Sequence, residues 1–113
     1  TELIDYDAFC GVVPSLSPAA LKARLDEVTL LDVREPWEAE IATIPGSLLI
    51  PLGALPLALD RLDRSLPIVA YCHHGIRSES ARAILAEAGF DASHLAGGID
   101  AWSTEVDENV PRY

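Results

Sequence analysis

A cysteine, two histidines and an arginine stand within one short segment, Cys72-His73-His74-Gly75-Ile76-Arg77-Ser78, directly after the apolar run Ile68 to Tyr71. Nucleophilic sulfur chemistry requires a means of holding negative charge on the thiol. A loop joining a strand end to a helix start supplies one, because successive backbone N–H groups and the helix terminus turn toward a single point. Gly75 permits the tight curvature such a loop needs. The segment therefore predicts a thiolate at Cys72 cradled by the amides of His73, His74, Gly75, Ile76, Arg77 and Ser78. His73, His74, Arg77 and Arg82 also make this stretch basic within an acidic chain. The competing reading of a free cysteine is a small buried hydrophobe. That reading suits Cys10, which has neither basic neighbours nor a strand-to-helix setting. A metal site made from Cys72, His73 and His74 lacks a fourth ligand at suitable spacing, so no metal is expected.

Positioning that loop takes a strand on one side and a helix on the other, and the flanking sequence provides them. Ile68 to Tyr71 reads as a buried strand, and Ser78 to Ala88 as a helix with Ala81, Ile84, Leu85 and Ala88 on one face and Gly89 at its end. Upstream, Ser17 as N-cap and Pro18 at the first helical position predict a helix over 18–27, with Leu21 and Leu25 on one side. Val28 to Val33 is a nearly all-apolar run that suits a parallel strand buried on both faces. Glu35 and Pro36 open a second helix that Pro45 and Gly46 end. Ser47 to Ile50 reads as a further strand, and Leu52, Leu55, Leu59 and Leu62 as a helix in spite of Pro56. A weak strand over Ser93 to Leu95 leads through Gly97-Gly98 to a short helix ending near Trp102. Alternating strands and helices imply an α/β fold, a mostly parallel five-stranded sheet with helices on both faces. Ligands of such sheets sit beyond the carboxyl ends of the strands, where Cys72 lies. Residues 1–16 show no sustained periodicity and read as a lead-in or linker to a domain over 17–113.

The 113 residues are half hydrophobic and carry 18 acids against 8 bases, a formal net charge of -10. One domain of this size can bury a core without disulfides or a structural metal. The negative field argues against nucleic acid or an anionic membrane as partner. No apolar run approaches the roughly 20 residues of a membrane span, and two cysteines make no disulfide framework, so a soluble cytoplasmic protein is expected. The chain has no methionine and starts at Thr1, which reads as a piece excised from something longer.

Four segments resemble the rhodanese (sulfurtransferase) homology domain, over Ser17 to Trp102. They are Leu31-Asp32-Val33-Arg34-Glu35-Pro36 with Glu38, Ile44-Pro45-Gly46-Ser47 leading to Ile50-Pro51, the Cys72 loop with Ala81, and Gly89-Phe90 followed by Leu95, Gly97-Gly98 and Trp102. The resemblance implies sulfane sulfur transfer through a persulfide on Cys72, from thiosulfate or a protein persulfide such as that of a cysteine desulfurase, with no cofactor. Arg77 would hold the loop or an anionic donor. Related phosphatases and arsenate reductases have one more residue between cysteine and arginine, whereas Cys72 and Arg77 are separated by four. The shorter loop suits sulfur better than a tetrahedral oxyanion. A rhodanese-fold docking module without turnover is the other alternative, and such modules usually lack the cysteine.

The ends carry a second resemblance. Glu2 to Gly11 is similar to the stretch that closes the adenylyltransferase domain of two-domain adenylyltransferase-sulfurtransferases of molybdopterin and thiamine sulfur metabolism. The tail from Gly97 through Val110-Pro111-Arg112-Tyr113 is similar to their terminus. This implies a small sulfur-carrier protein as acceptor, its adenylated C-terminus converted to a thiocarboxylate. Ala39, Ala42 and Thr43 depart from an aromatic residue, a glycine and a histidine common in the family. Asp32 and Arg34 resemble family residues near the active loop and are expected either to act directly or to form a structural ion pair. Trp37 and Trp102 read as packing residues, with Trp37 also placed to line an entrance. The terminal acids, Glu2, Asp5, Asp7, Glu105, Asp107 and Glu108, read as solvated.

Overall fold

The computed structural model describes residues 14–113; Cys10, the Glu2 to Gly11 stretch and the acids Glu2, Asp5 and Asp7 lie outside them. Five parallel strands run β1 (Ser15–Leu16), β2 (Thr29–Asp32), β3 (Leu48–Leu49), β4 (Ile68–Tyr71) and β5 (Ala92–Leu95), in the spatial order β1-β5-β4-β2-β3. Four helices connect or follow them: α1 (Pro18–Lys22), α2 (Pro36–Ile41), α3 (Ile76–Glu87) and α4 (Gly98–Glu105).

The central strand explains why the apolar run was continuous. Ile68, Ala70 and Cys72 enter one core with Leu31, Val33, Leu55, Leu62, Ala81 and Leu85, under α3. Val69 and Tyr71 enter the other with Leu21, Leu30, Ile99 and Trp102, under α1 and α4. Successive side chains alternate across the sheet, so a strand covered on both faces has no polar side. Cys72 continues the series of Ile68 and Ala70 and therefore projects to the α3 side.

Several boundaries differ from the sequence reading. The helix expected over 18–27 closes at Lys22 and resumes as a 3₁₀ turn over Leu25–Glu27. Its start is as expected, since the Ala20 N–H donates to Ser17 Oγ at 3.1 Å. Leu52 to Leu62 is not one α-helix but two 3₁₀ segments, Leu52–Leu57 and Leu59–Arg61. Pro56 supplies no N–H for an α-helical ladder, and the short i to i+3 pattern, such as Ala58 N–H to Leu55 O at 3.0 Å, takes over. Residues 15 and 16, read as part of a lead-in, form the edge strand β1, because Pro14 O and Leu16 O accept from His94 and Ala96. Such a strand is defined by its partner and has no periodicity of its own. Finally, α3 begins at Ile76, two residues earlier than expected, with Gly75 at φ +110° in the cap position.

Candidate active site

The loop after β4 brings backbone donors to sulfur. Gly75 N–H donates to Cys72 Sγ at 3.1 Å and Ser78 N–H at 3.4 Å, and Sγ lies 3.6 Å from Ser78 Oγ. Cys72 and Ser78 are both fully buried. Two N–H groups aimed at one sulfur stabilise negative charge there.

The loop is held from behind by α4. Ile99 N–H donates to Cys72 O at 2.9 Å and Asp100 N–H to His73 O at 3.2 Å. These first-turn amides have no helical partners, so binding the loop carbonyls satisfies both sides. The approach requires glycine at Gly98: at its φ of +64°, a Cβ would lie 2.5 Å or less from Cys72 O and His73 O. Gly98 thus allows the start of α4 to pack directly against the Cys72 and His73 carbonyls.

A second, charged construction stands beside the loop. Arg34 at the end of β2 donates from Nε to Asp32 Oδ1 at 2.8 Å and from Nη2 to Oδ2 at 2.7 Å. Its other N–H groups reach Ala42 O at 2.7 Å, Tyr113 Oη at 2.9 Å and Glu38 O at 3.4 Å. All five guanidinium donors have protein acceptors. Burial alone would lower the Arg34 pKa, but bonds from Asp32 and Tyr113 outweigh it and raise it. Tyr71, whose hydroxyl donates to Asp32 Oδ2, is pushed up to about 12 by burial and by that neighbouring charge.

Glu38 joins this construction to the loop. Its carboxylate accepts from Arg77 Nη1 at 2.6 Å and Nη2 at 2.9 Å, from Tyr113 Oη at 2.7 Å and from Glu35 N–H at 3.0 Å. The Arg77 bonds, against the opposing cost of burial, bring Glu38 down to about 2. Arg77 is correspondingly raised by its bonds to Glu38. Tyr113 is raised to about 12, by burial before any other cause.

His73 is stacked between His74, at a centroid distance of 3.8 Å, and Tyr113 at 4.0 Å. Burial and the His74 charge lower its pKa. His73, His74 and Asp100 place potential ligand atoms within 4.8 Å of one another. Imidazole lone pairs lie in the ring plane, however, and rings stacked at 23° aim them side by side instead of at one point. Asp100 is also engaged by Arg112 at 2.8 Å.

The pattern of the rhodanese-like domain matches residues 17–105. The chain belongs to the rhodanese-like domain family. It is 38% identical to a probable adenylyltransferase/sulfurtransferase MoeZ of Mycobacterium tuberculosis, covering all of this chain and 33% of that protein. It is 34% identical to a putative sulfurtransferase YtwF of Bacillus subtilis, covering 83% of this chain and 94% of the relative. A rhodanese-related protein from Thermoplasma volcanium superposes with a TM-score of 0.79 at 33% identity, over 82% of this chain and 93% of that one. The chain thus spans about a third of the MoeZ relative, and its own family is that of sulfurtransferase-named proteins.

Within this rhodanese-like domain, the Cys72 loop has the strand-to-helix geometry expected, but two details differ. Of the six amides expected around sulfur, those of Gly75 and Ser78 are the ones within hydrogen-bond distance among the described residues. The expected basic character is also partly offset, since Arg77 is tied to Glu38 and burial lowers the His73 pKa, while the charge of Arg82 is still felt at His94. Arg77 therefore holds the loop, with Glu38 rather than a donor anion as its partner. Asp32 and Arg34 form the structural pair, closed to solvent. Trp102 is buried as expected, whereas Trp37 is 60% exposed and touches Tyr113 edge-on. Glu38, Tyr113 and His94 were absent from the expected site. Glu38 has a local signal, since Glu35 and Glu38 form a reciprocal capping box at the start of α2; the other two have none.

Proposed function

We propose that this domain transfers sulfane sulfur through a persulfide on Cys72. The observation that carries the reading is the pair of N–H groups, from Gly75 and Ser78, directed at Sγ beyond the end of β4. With thiosulfate as donor, the thiolate attacks the outer sulfur, a Cys72 S–S bond forms, and the bond to sulfite breaks with sulfite keeping the electron pair. With a cysteine desulfurase persulfide, the donor cysteine leaves as thiolate. An acceptor nucleophile then attacks the outer sulfur and expels Cys72 as thiolate.

The names of the two-domain relatives support a partner adenylyltransferase activity. The residues before β1 would then be the tail of such a domain, and the acceptor the adenylated C-terminus of a small sulfur-carrier protein. There the persulfide attacks the acyl carbon and displaces the nucleotide, a second thiol attacks Cys72 Sγ to expel the thiocarboxylate and form a mixed disulfide, and a further thiol reduces that disulfide to restore Cys72. A cytoplasmic setting agrees with a free Cys72 thiol, and no helix among the described residues is long and apolar enough to cross a membrane. Phosphoryl or arsenate chemistry is not favoured, since Arg77 has its guanidinium committed to Glu38.

The test is thiocyanate formation from thiosulfate and cyanide by purified protein, with Cys72→Ala inactive. Intact mass of the thiosulfate-treated protein should show one added sulfur that a reductant removes. A Cys72→Ala protein with wild-type turnover would overturn the assignment, and a wild type that never acquires sulfur would favour the docking-module alternative.

A further inference from the structure

Behind Cys72 runs a chain of buried polar atoms that the transfer steps above leave unused. Ser78 Oγ lies 3.6 Å from Cys72 Sγ and 3.0 Å from His94 Nδ1, and its one hydroxyl proton can go either to that nitrogen or to Gly75 O at 3.1 Å. Ser78 is fully buried on the first turn of α3, and His94 on β5 is 7% exposed. Burying an imidazole in a sheet is costly unless its polar atoms are used. A neutral imidazole offers one acceptor nitrogen. When the proton is on Nε2, Nδ1 accepts from the Ser78 hydroxyl, and Ser78 Oγ in turn accepts from the Cys72 thiol.

We propose that His94 is a positioning residue that draws the Cys72 proton through Ser78, so that the thiolate forms inside the loop rather than by direct contact with water. The use of that thiolate rests on the sulfur-transfer reading; the path itself does not. In the step, the Sγ–H bond breaks as an Oγ–H bond forms, and the original Oγ–H bond breaks as an Nδ1–H bond forms. Ser78 ends as a hydroxyl, Cys72 becomes a thiolate, His94 becomes an imidazolium, and no electron changes hands. The Gly75 and Ser78 amides remain on the sulfur. When the second half-reaction expels Cys72, the same path can return the proton.

The surroundings of His94 favour its resting neutral form. Burial lowers its pKa, Glu79 on α3 opposes this and Arg82 on α3 reinforces it. Its register partners on the flanking strands, Ser15 and Ala70, carry no charge. A merely structural Ser78–His94 bond, pinning α3 to β5, would leave thiol reactivity independent of the imidazole.

The experiment measures the rate of Cys72 alkylation by iodoacetamide against pH in a Cys10→Ser background, for the otherwise native chain, His94→Asn, Ser78→Ala and the double variant, with circular dichroism as the check of folding. At about pH 6.5 each single variant is expected to alkylate about tenfold more slowly, because the rate follows the thiolate fraction. At about pH 10 the rates should converge. The double variant should be no slower than either single one, since both interrupt one path. Rates that superimpose on the parent at all pH values overturn the relay, as does a double variant slowed by the product of the two effects. Should Ser78→Ala fail to fold, the His94→Asn profile decides alone. Alkylation needs no sulfur donor, so the two readings fail separately: a parent inert to thiosulfate but sensitive to His94 loses only the transfer reading, and normal transfer with superimposed profiles loses only the relay.

Discussion

Two constructions share the carboxyl ends of β2 and β4, and they use polar atoms in opposite ways. Around Arg34, every donor of a buried guanidinium meets a protein acceptor, and two carboxylates, two arginines and two tyrosines close on one another. Around Cys72, among the described residues, the direct contacts are uncharged, and the Arg77 charge acts on the sulfur only at longer range. The sulfur has two amides and a hydroxyl, and the loop's outward-facing Ile76 is 78% exposed. Charge is used around Arg34 to fix geometry, and uncharged dipoles surround the sulfur that the proposed mechanism would charge and discharge. A fixed cation in contact with the thiol would hold it ionised but would resist the change of state that the proposed transfer requires.

The sharpest way to break this division is to remove one member of the closed set. Arg34→Ala leaves Asp32 buried without its partner and should cost about 3–5 kcal/mol of stability, read by urea unfolding. Arg34→Met with Asp32→Leu should cost clearly less, since no charge is left uncompensated.

Acid provides the next test. Glu38 is held at about 2 against an ordinary 4.5, so it binds a proton more readily unfolded than folded. Its contribution, about 3 kcal/mol, is present above pH 4.5 and is lost as pH falls through about 2. Arg77→Gln should remove most of that dependence, seen as a shallower decline of Tm across this interval. An unchanged slope would show that Arg77 does not hold Glu38 in solution.

Gly98→Ala probes the other region. The added Cβ meets Cys72 O and His73 O, and its cost should be about 1–3 kcal/mol. Sulfur transfer should fall more than that figure implies for the folded population, because the displaced atoms carry the cysteine. Smallest of all, Ser17→Ala removes the cap of α1 and should cost about 1 kcal/mol with kcat unchanged, a control remote from both regions.

What could be read from the sequence follows from how local each feature is. The Cys72 loop occupies seven consecutive residues, and its strand and helix flank it directly, so the placement of this candidate loop and the α/β class were both legible. Glu38 and Arg77 stand 39 positions apart, and Arg34 and Tyr113 stand 79 apart. Those pairs exist only because β2 lies beside β4 and the tail returns over the loop, which no spacing encodes. His94 is a lone histidine in a four-residue strand, and only the packing of α3 against β5 gives it a partner. The segment over Leu52 to Leu62 failed for the opposite reason: its leucine spacing was genuine, but Pro56 withheld a donor that a helix needs.

The alternation along β4 places the reactive atom in the layer beneath α3, with Cys72 at 0% exposure. A convex protein surface cannot touch an atom at that depth. On the proposed sulfur-transfer reading, a donor or acceptor able to meet that atom would be a small anion or the slender terminus of a larger body, a selection by girth that precedes any chemistry.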